Sequence, residues 1–347
     1  MEALYTGIDV HKRTLQVCVQ DQDGGIVREC RLSNDQHSVV SFFDGLDGQV
    51  SVALEASHNW GLLYDVLSAM GIEVHICDSR EARLIGMNRV KTDRNDAYRL
   101  ATLLRVRLLP ECYVPSGDCR ELRELVRARA SLRRMSTRIK NQIHAVLSNN
   151  WIKHSYTDLF GKAGRKFLEE LKMRDCCKLL LASKLALLDS IEVQIEILGS
   201  EIVRRAHVDK RAMLLMTIPG VAELTSLVIL SEIGEISRFY RPESLVNYAG
   251  LHPSEDSSGD RVRRGGITKE GSSWLRWILV EAAHHAVKQE GKIRDLYLRV
   301  LVKKGHNRAI VAAAREMLVA IYWMLIRMEP YRPSGRCKAS VLTGEAR

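Results

Sequence analysis

The first thirty residues alternate between short apolar runs and polar positions. Residues 4–21 predict two strands, the second over 15–20 with apolar side chains at every other position, and Asp23-Gly24 supplies a tight turn into a third strand at Ile26-Val27. The period then lengthens. A helix is predicted over 37–46, a strand over 50–54, a helix over 60–70 closed by Gly71, a strand over 72–77, and helices onward from Glu81. The order β-β-β-α-β-α-β-α describes a mixed sheet covered by helices. From Asp118 to about Arg205 the composition shifts to helix formers. Leu125, Leu132, Ile139 and Val146 recur every seven residues, as do Leu181, Leu188, Ile195 and Ile202, with Ile191 and Leu198 on the adjoining ridge. That is the seam of a coiled coil or long helical hairpin, with residues 150–174 at its tip. Two apolar helices around Ile218-Pro219-Gly220-Val221, a helix over 272–286 and an amphipathic helix over 296–328 follow. These patterns divide the chain into segments 1–117, 118–206 and 207–330 and a frayed tail over 331–347.

Charge and cysteine content narrow the partners. Among 347 residues, 52 are Lys or Arg and 42 are Asp or Glu, a formal +10 that favours a polyanion, nucleic acid first. The eight cysteines form no C-x-x-C pair and sit mainly in apolar runs, as expected of reduced thiols. No signal pattern opens the chain and no run approaches the roughly 20 apolar residues of a membrane helix. The expectation is a soluble cytoplasmic protein, independent of membranes.

Candidate chemistry centres on Asp9, set in Tyr5-Thr6-Gly7-Ile8-Asp9-Val10-His11-Lys12. A carboxylate in an apolar strand calls for a cation or a proton. Glu55 ends a second apolar run, and Asp93 and Asp96 open an amphipathic helix three residues apart, on one face. Taken singly, each also suits a strand end or a helix N-terminus. Together, four carboxylates from two strands and a helix are a set that could hold one or two hard divalent cations. Arg120, Arg123, Arg127, Arg134 and Arg138 form a stripe along the first long helix, either a solvated face or a phosphate-binding ridge. Gly220 lies in a turn that is either an ordinary packing unit between two helices or one whose backbone N–H groups could approach a phosphate. A Ser257-Ser258-Gly259 loop followed by Arg261, Arg263 and Arg264, and then by Ile267-Thr268-Lys269-Glu270-Gly271, reads either as a surface turn or as an exposed hydroxyl beside a phosphate cradle.

As a set, Gly7-Ile8-Asp9-Val10-His11-Lys12, Leu54-Glu55-Ala56-Ser57, Lys91-Thr92-Asp93-Arg94-Asn95-Asp96-Ala97, Ile218-Pro219-Gly220, Tyr248-Ala249-Gly250-Leu251-His252-Pro253, Ser258-Gly259 and Ile267-Thr268-Lys269-Glu270-Gly271 resemble the DEDD-type insertion-sequence transposases. These are the bridge-RNA-guided recombinases related to Piv-like DNA invertases. The resemblance covers nearly the whole chain. It implies an α/β RNase H-like (RuvC-like) N-terminal domain, a coiled coil, and a mostly α-helical C-terminal transposase domain with a nucleophilic serine. The four acidic positions of the family match Asp9, Glu55, Asp93 and Asp96 as metal ligands for Mg²⁺ or Mn²⁺. Its serine matches Ser258, with Ser257 and Ser254 as neighbouring hydroxyls. Arg261, Arg263, Arg264 and Lys269 would hold phosphates beside it. The partners implied are donor and target DNA, a guide (bridge) RNA and further copies of the chain in a dimer or tetramer. Two other functions stay open from the residues alone: a RuvC-like, metal-dependent endonuclease of branched DNA with water as nucleophile, and a non-catalytic nucleic-acid-binding scaffold.

Overall fold

The computed structural model describes residues 2–56, 59–78, 81–82, 85, 92–258 and 261–333, with the backbone alone at 255–258 and 261–264. The chain forms two compact units, Met1–Val114 and Pro115–Arg347. In the first, β1 (Ala3–Val10), β2 (Thr14–Gln20), β3 (Ile26–Ser33), β4 (Gln49–Glu55) and β5 (Glu73–Cys77) make one sheet in the order β3-β2-β1-β4-β5. β1, β2 and β3 run antiparallel, whereas β4 and β5 run parallel to β1.

Period-two alternation sorts the side chains to the two sheet faces. Leu4, Ile8, Val10, Leu15, Val17, Val19, Val52 and Leu54 share a core with Phe42 and Phe43 of α1 (Gln36–Asp44) and Leu63 and Leu67 of α2 (Trp60–Ala69). The opposite face carries Tyr5, Gly7 and Asp9 and lies against α3 (Asp93–Arg105), with Ala53, Cys77, Leu100, Leu103 and Leu104 as a smaller core. Gly7 makes this closeness possible: a Cβ there would lie 2.0 Å from the Ala97 carbonyl oxygen and 2.4 Å from the Ala101 nitrogen. Thr92 caps α3 by accepting from the Asn95 N–H, and Gln20 on β2 donates to Thr102 Oγ1 at 2.9 Å. The first turn of α3 is thereby fixed over the ends of β1 and β4.

The second unit is built on two long antiparallel helices, α4 (Gly117–Asn149) and α6 (Asp175–Val208), with α5 (Lys162–Glu170) at the tip. Ser136 donates to Glu192 and Lys184 donates to Gln142, which fixes the antiparallel register. On α6 the predicted repeat is buried at Leu181, Leu188, Ile195 and Ile202. On α4 the buried line runs instead through Val126, Ala130, Ser136, Ile139, Ile143 and Leu147, and Leu125, Leu132 and Val146 flank it half-buried. A straight helix of 3.6 residues per turn drifts away from a seven-residue repeat, and the base of α4 packs on α8 (Glu223–Ile233) as well as on α6. That base shares a core with the remaining helices, so Val126, Ile202 and Ala206 join Leu215, Leu227, Leu279 and Met317.

α7 (Lys210–Leu215), α9 (Pro242–Tyr248), α10 (Ser273–Ala286), α11 (Lys292–Lys304) and α12 (His306–Arg327) complete the second unit. By length and composition α12 could span a bilayer, contrary to the expectation that no run was apolar enough. Its Ala309, Ala313, Met317, Leu318 and Ile321 are buried in the protein core while Arg315, Trp323 and Ile326 are exposed, the pattern of a helix packed by one face on its own chain. A further difference concerns the predicted serine loop. Residues Pro253–Ser258 and Arg261–Ile267 are strands β6 and β7 of an antiparallel hairpin, with Ser258 paired to Arg261 and Ser257 to Val262. Two polar runs separated by only two residues, Gly259 and Asp260, satisfy their backbone groups by pairing with each other.

Charge divides with the units. Residues 1–114 hold 12 Lys and Arg against 16 Asp and Glu, a net −4, and residues 115–347 hold 40 against 26, a net +14.

Candidate active site

The acidic site lies where the strand ends meet the first turn of α3. Parallel pairing of Ile8 with Leu54 puts Asp9 and Glu55 one step further on, on the face that looks at α3. Asp93 and Asp96 occupy the first turn of that helix. His11, in the turn after β1, brings its Nε2 to 3.0 Å from Asp9 Oδ2 and 3.1 Å from Asp93 Oδ2. One ligand atom from each of Asp9, His11 and Asp93 falls within 4.8 Å of the other two, close enough to share one metal ion. The His11 turn is held by backbone pairing to Thr14 and by Asn34, whose side-chain amide donates to the His11 carbonyl.

Glu55 and Asp96 meet a different cation. Arg99 Nη2 lies 2.9 Å from Asp96 Oδ1 and 3.7 Å from Glu55 Oε1, and all three side chains are largely buried. Asp9 responds to this crowding. Burial raises its pKa above 3.8, His11 lowers it, and the charges of Glu55, Asp93 and Asp96 raise it further. The Cys77 thiol, paired in register with Glu55, is pushed up to about 12 by burial and then by that carboxylate, so it stays protonated. The four predicted carboxylates therefore form one electrostatic group. Sequence reasoning passed over His11 and Arg99. His11 had a local signal, being two residues beyond Asp9 and so on the same side of an extended chain. Arg99 shows its role only once α3 is packed on the sheet.

In the second unit the arginine stripe splits into several environments. Arg123 donates twice to the Ser231 carbonyl, at 2.7 and 3.1 Å. Arg127 donates to Glu232 Oε1 at 2.6 and 3.1 Å. Glu232 is buried, accepts from Ser272 at 2.8 Å through its other oxygen, and is the hub that ties α4, α8 and α10 together. Charge-assisted bonds to a buried acid tie down Arg127, and two bonds to a backbone carbonyl tie down Arg123. The guanidinium of Arg134 stacks on Trp274 at 4.7 Å, Arg120 is half-buried, and Arg138 faces solvent. Gly220 has φ of +87°, and a Cβ on it would lie 2.6 Å from the Ala282 carbonyl oxygen. Its need for glycine is thus met by packing on α10, while the residue itself remains exposed.

The two C-terminal motifs meet each other. Thr268 donates to the His252 carbonyl, Lys269 to that of Gly250 and Ser272 to that of Tyr248. Lys269 is exposed at the turn between β7 and α10. The side chains of Ser257, Ser258, Arg261, Arg263 and Arg264 lie outside the described set, as do residues Gly259 and Asp260.

Residues 6–152 match the IS110-type DEDD transposase domain, and residues 212–298 match the transposase domain of the IS116/IS110/IS902 family. The transposase for insertion sequence element IS1111A of Coxiella burnetii is 25% identical over 346 residues, covering 94% of this chain and 90% of that protein. The transposase for insertion sequence element IS1328 of Yersinia enterocolitica is 22% identical over 326 residues, covering 92% and 95%. The y4qE protein of Sinorhizobium fredii is 33% identical over 270 residues, covering 76% of this chain and 65% of that protein. With two domains of one family matched in order, and similarity running through both units, the chain belongs to the IS110/IS116 family of insertion-sequence transposases.

Proposed function

We propose that this transposase is a site-specific recombinase guided by a bridge RNA. In this reading Asp9, Glu55, Asp93 and Asp96 make up one acidic site that takes a divalent cation in a RuvC-like domain, and Ser258 is the nucleophile toward DNA. The observation that carries the metal half is the convergence of Asp9, His11 and Asp93 within 4.8 Å, with Glu55 and Asp96 raising the Asp9 pKa from close by. Crowded, partly buried carboxylates of this kind fit an oxygen-preferring cation such as Mg²⁺ or Mn²⁺. The RuvC-like reading is supported by the sheet, with β1 to β3 antiparallel, β4 and β5 parallel to β1, and acids on β1, β4 and the following helix. When bound, the cation neutralises charge on a scissile phosphate and on the attacking and leaving oxygens.

Ser258 rests on the family motif and on its register opposite Arg261. Attack of its Oγ on phosphorus makes a phosphoserine bond and releases a DNA hydroxyl, which keeps the bond energy for rejoining. Arg261, Arg263, Arg264 and Lys269 would steady the phosphates, and the exposed Gly220 turn and Arg120, Arg134 and Arg138 would contact the backbone of DNA or RNA. Assembly as a dimer or tetramer is supported by α6, which exposes Leu179, Leu180, Leu187, Val193 and Ile197 opposite its buried seam.

The test is a denaturing gel of the full chain incubated with donor and target DNA, guide RNA and Mg²⁺. Wild-type protein is expected to form a covalent adduct that maps to Ser258. Ser258→Ala keeps nucleic-acid binding and forms none, and Asp9→Asn forms about 100-fold less. Strand cleavage without any adduct would establish water as the nucleophile, and binding without cleavage would leave a scaffold.

A further inference from the structure

The carboxylate cluster has two unlike ends. At the open end His11 and Asp93 are about half exposed, at 45% and 52%, and approach Asp9 from the solvent side. At the closed end Arg99, Glu55 and Asp96 are 13%, 13% and 14% exposed, and the guanidinium reaches both acids through one nitrogen. The Nε of Arg99 is buried without a hydrogen-bond partner among the described residues. Asp96 and Arg99 are three residues apart on α3, which fixes their spacing by helix geometry.

From this asymmetry we infer that Arg99 is a built-in monovalent cation that takes the place of a second metal ion, so that each chain binds one divalent cation, at the Asp9–Asp93 end. The inference rests on the metal reading above and goes beyond it in fixing stoichiometry and position. A second divalent ion between Glu55 and Asp96 would have to expel a largely buried guanidinium or sit beside its charge, and both are unfavourable where water screens little. An ion at the open end meets neither obstacle, because there the imidazole can rotate away or act as a neutral ligand. Arg99 is thus a positioning residue. It keeps Glu55 and Asp96 drawn together.

The experiment is a Mn²⁺ titration of the full chain, free of nucleic acid, with unbound Mn²⁺ counted by its electron paramagnetic resonance signal. Wild type is expected to bind one equivalent. Arg99→Gln, which removes the charge and retains most of the side chain, is expected to bind two, and Arg99→Lys to stay at one. Asp93→Asn should weaken the single site at least tenfold more than Glu55→Gln does. Two equivalents on wild type would overturn the inference. So would one equivalent on Arg99→Gln whose thermal melt shows it folded. If that variant does not fold, equal losses in Asp93→Asn and Glu55→Gln would overturn it instead. No binding by wild type would overturn the metal reading itself, a result distinct from the wrong stoichiometry.

Discussion

Asp9 stands in a position that costs the fold stability. Burial and three neighbouring carboxylates raise its pKa, and one imidazole offsets part of that. A raised acid pKa means that the folded protein holds its proton more tightly than the unfolded chain does. The stabilising effect is fully present below the unfolded value near 3.8 and is lost as pH rises through the folded value. Asp9→Asn should therefore be as stable as wild type in strong acid and more stable at neutral pH without metal. Urea midpoints measured for both proteins from pH 3 to pH 7 check this, and curves that stay parallel over that range would refute it. Adding Mn²⁺ should raise the wild-type midpoint and leave the variant unmoved, since only a protein that binds the ion gains from it. The four acids were legible in the sequence because each sits at a strand end or helix start whose period fixes its direction. The partners of Arg123 and Arg127 were not legible. Glu232 is more than a hundred residues away, and periodicity cannot separate a solvated arginine face from one turned toward a buried acid.

At the scale of elements, the contact between β1 and α3 decides whether the acids meet at all. Gly7 has no side chain where Ala97 and Ala101 approach, and Leu100 lies 2.9 Å from the point where a Cβ would stand. Gly7→Ala must push α3 away from the sheet, because the obstructing atoms are mainly helix backbone and cannot rotate aside. Overpacking of this kind costs about 1–3 kcal/mol, and the displacement separates Asp93 and Asp96 from Asp9 and Glu55. The expected outcome is a lower urea midpoint together with Mn²⁺ affinity reduced about tenfold or more. A variant less stable but with unchanged Mn²⁺ affinity would show that α3 does not position the site. The succession of strands and helices in the first unit, both long helices and the helix after β7 were readable from hydrophobic period, whereas the helix expected over 296–328 is broken at Gly305 into α11 and α12. The β6–β7 hairpin was not, because its residues are nearly all polar, and pairing between two polar strands leaves no apolar alternation to detect. The buried line of α4 departed from its repeat for a related reason: it answers to α8 as well as to α6, and neither partner is visible in a local window.

Across the whole molecule the division of charge assigns different work to the two units. The acidic site belongs to a unit of net −4, while the helical unit carries +14. Affinity for a polyanion follows the number of phosphates neutralised, and each neutralised phosphate contributes about −0.9 to the slope of log affinity against log salt on duplex DNA. Each unit has its own core, so residues 1–114 and 115–347 can be produced separately and compared with the full chain. The fragment 115–347 should keep nearly the full salt slope for duplex DNA between 50 and 200 mM salt, measured by fluorescence anisotropy. The fragment 1–114 should bind DNA too weakly to measure without metal and still take up Mn²⁺. Within 115–347, Arg138→Glu and Lys269→Glu should each lower the slope by about 1 if their charges contact phosphate. Arg127→Glu should instead lower the urea midpoint, because it sets a second carboxylate against buried Glu232. If the slope vanished from 115–347 and appeared in 1–114 on adding Mn²⁺, the metal site would be the principal DNA contact and the basic unit would serve another ligand.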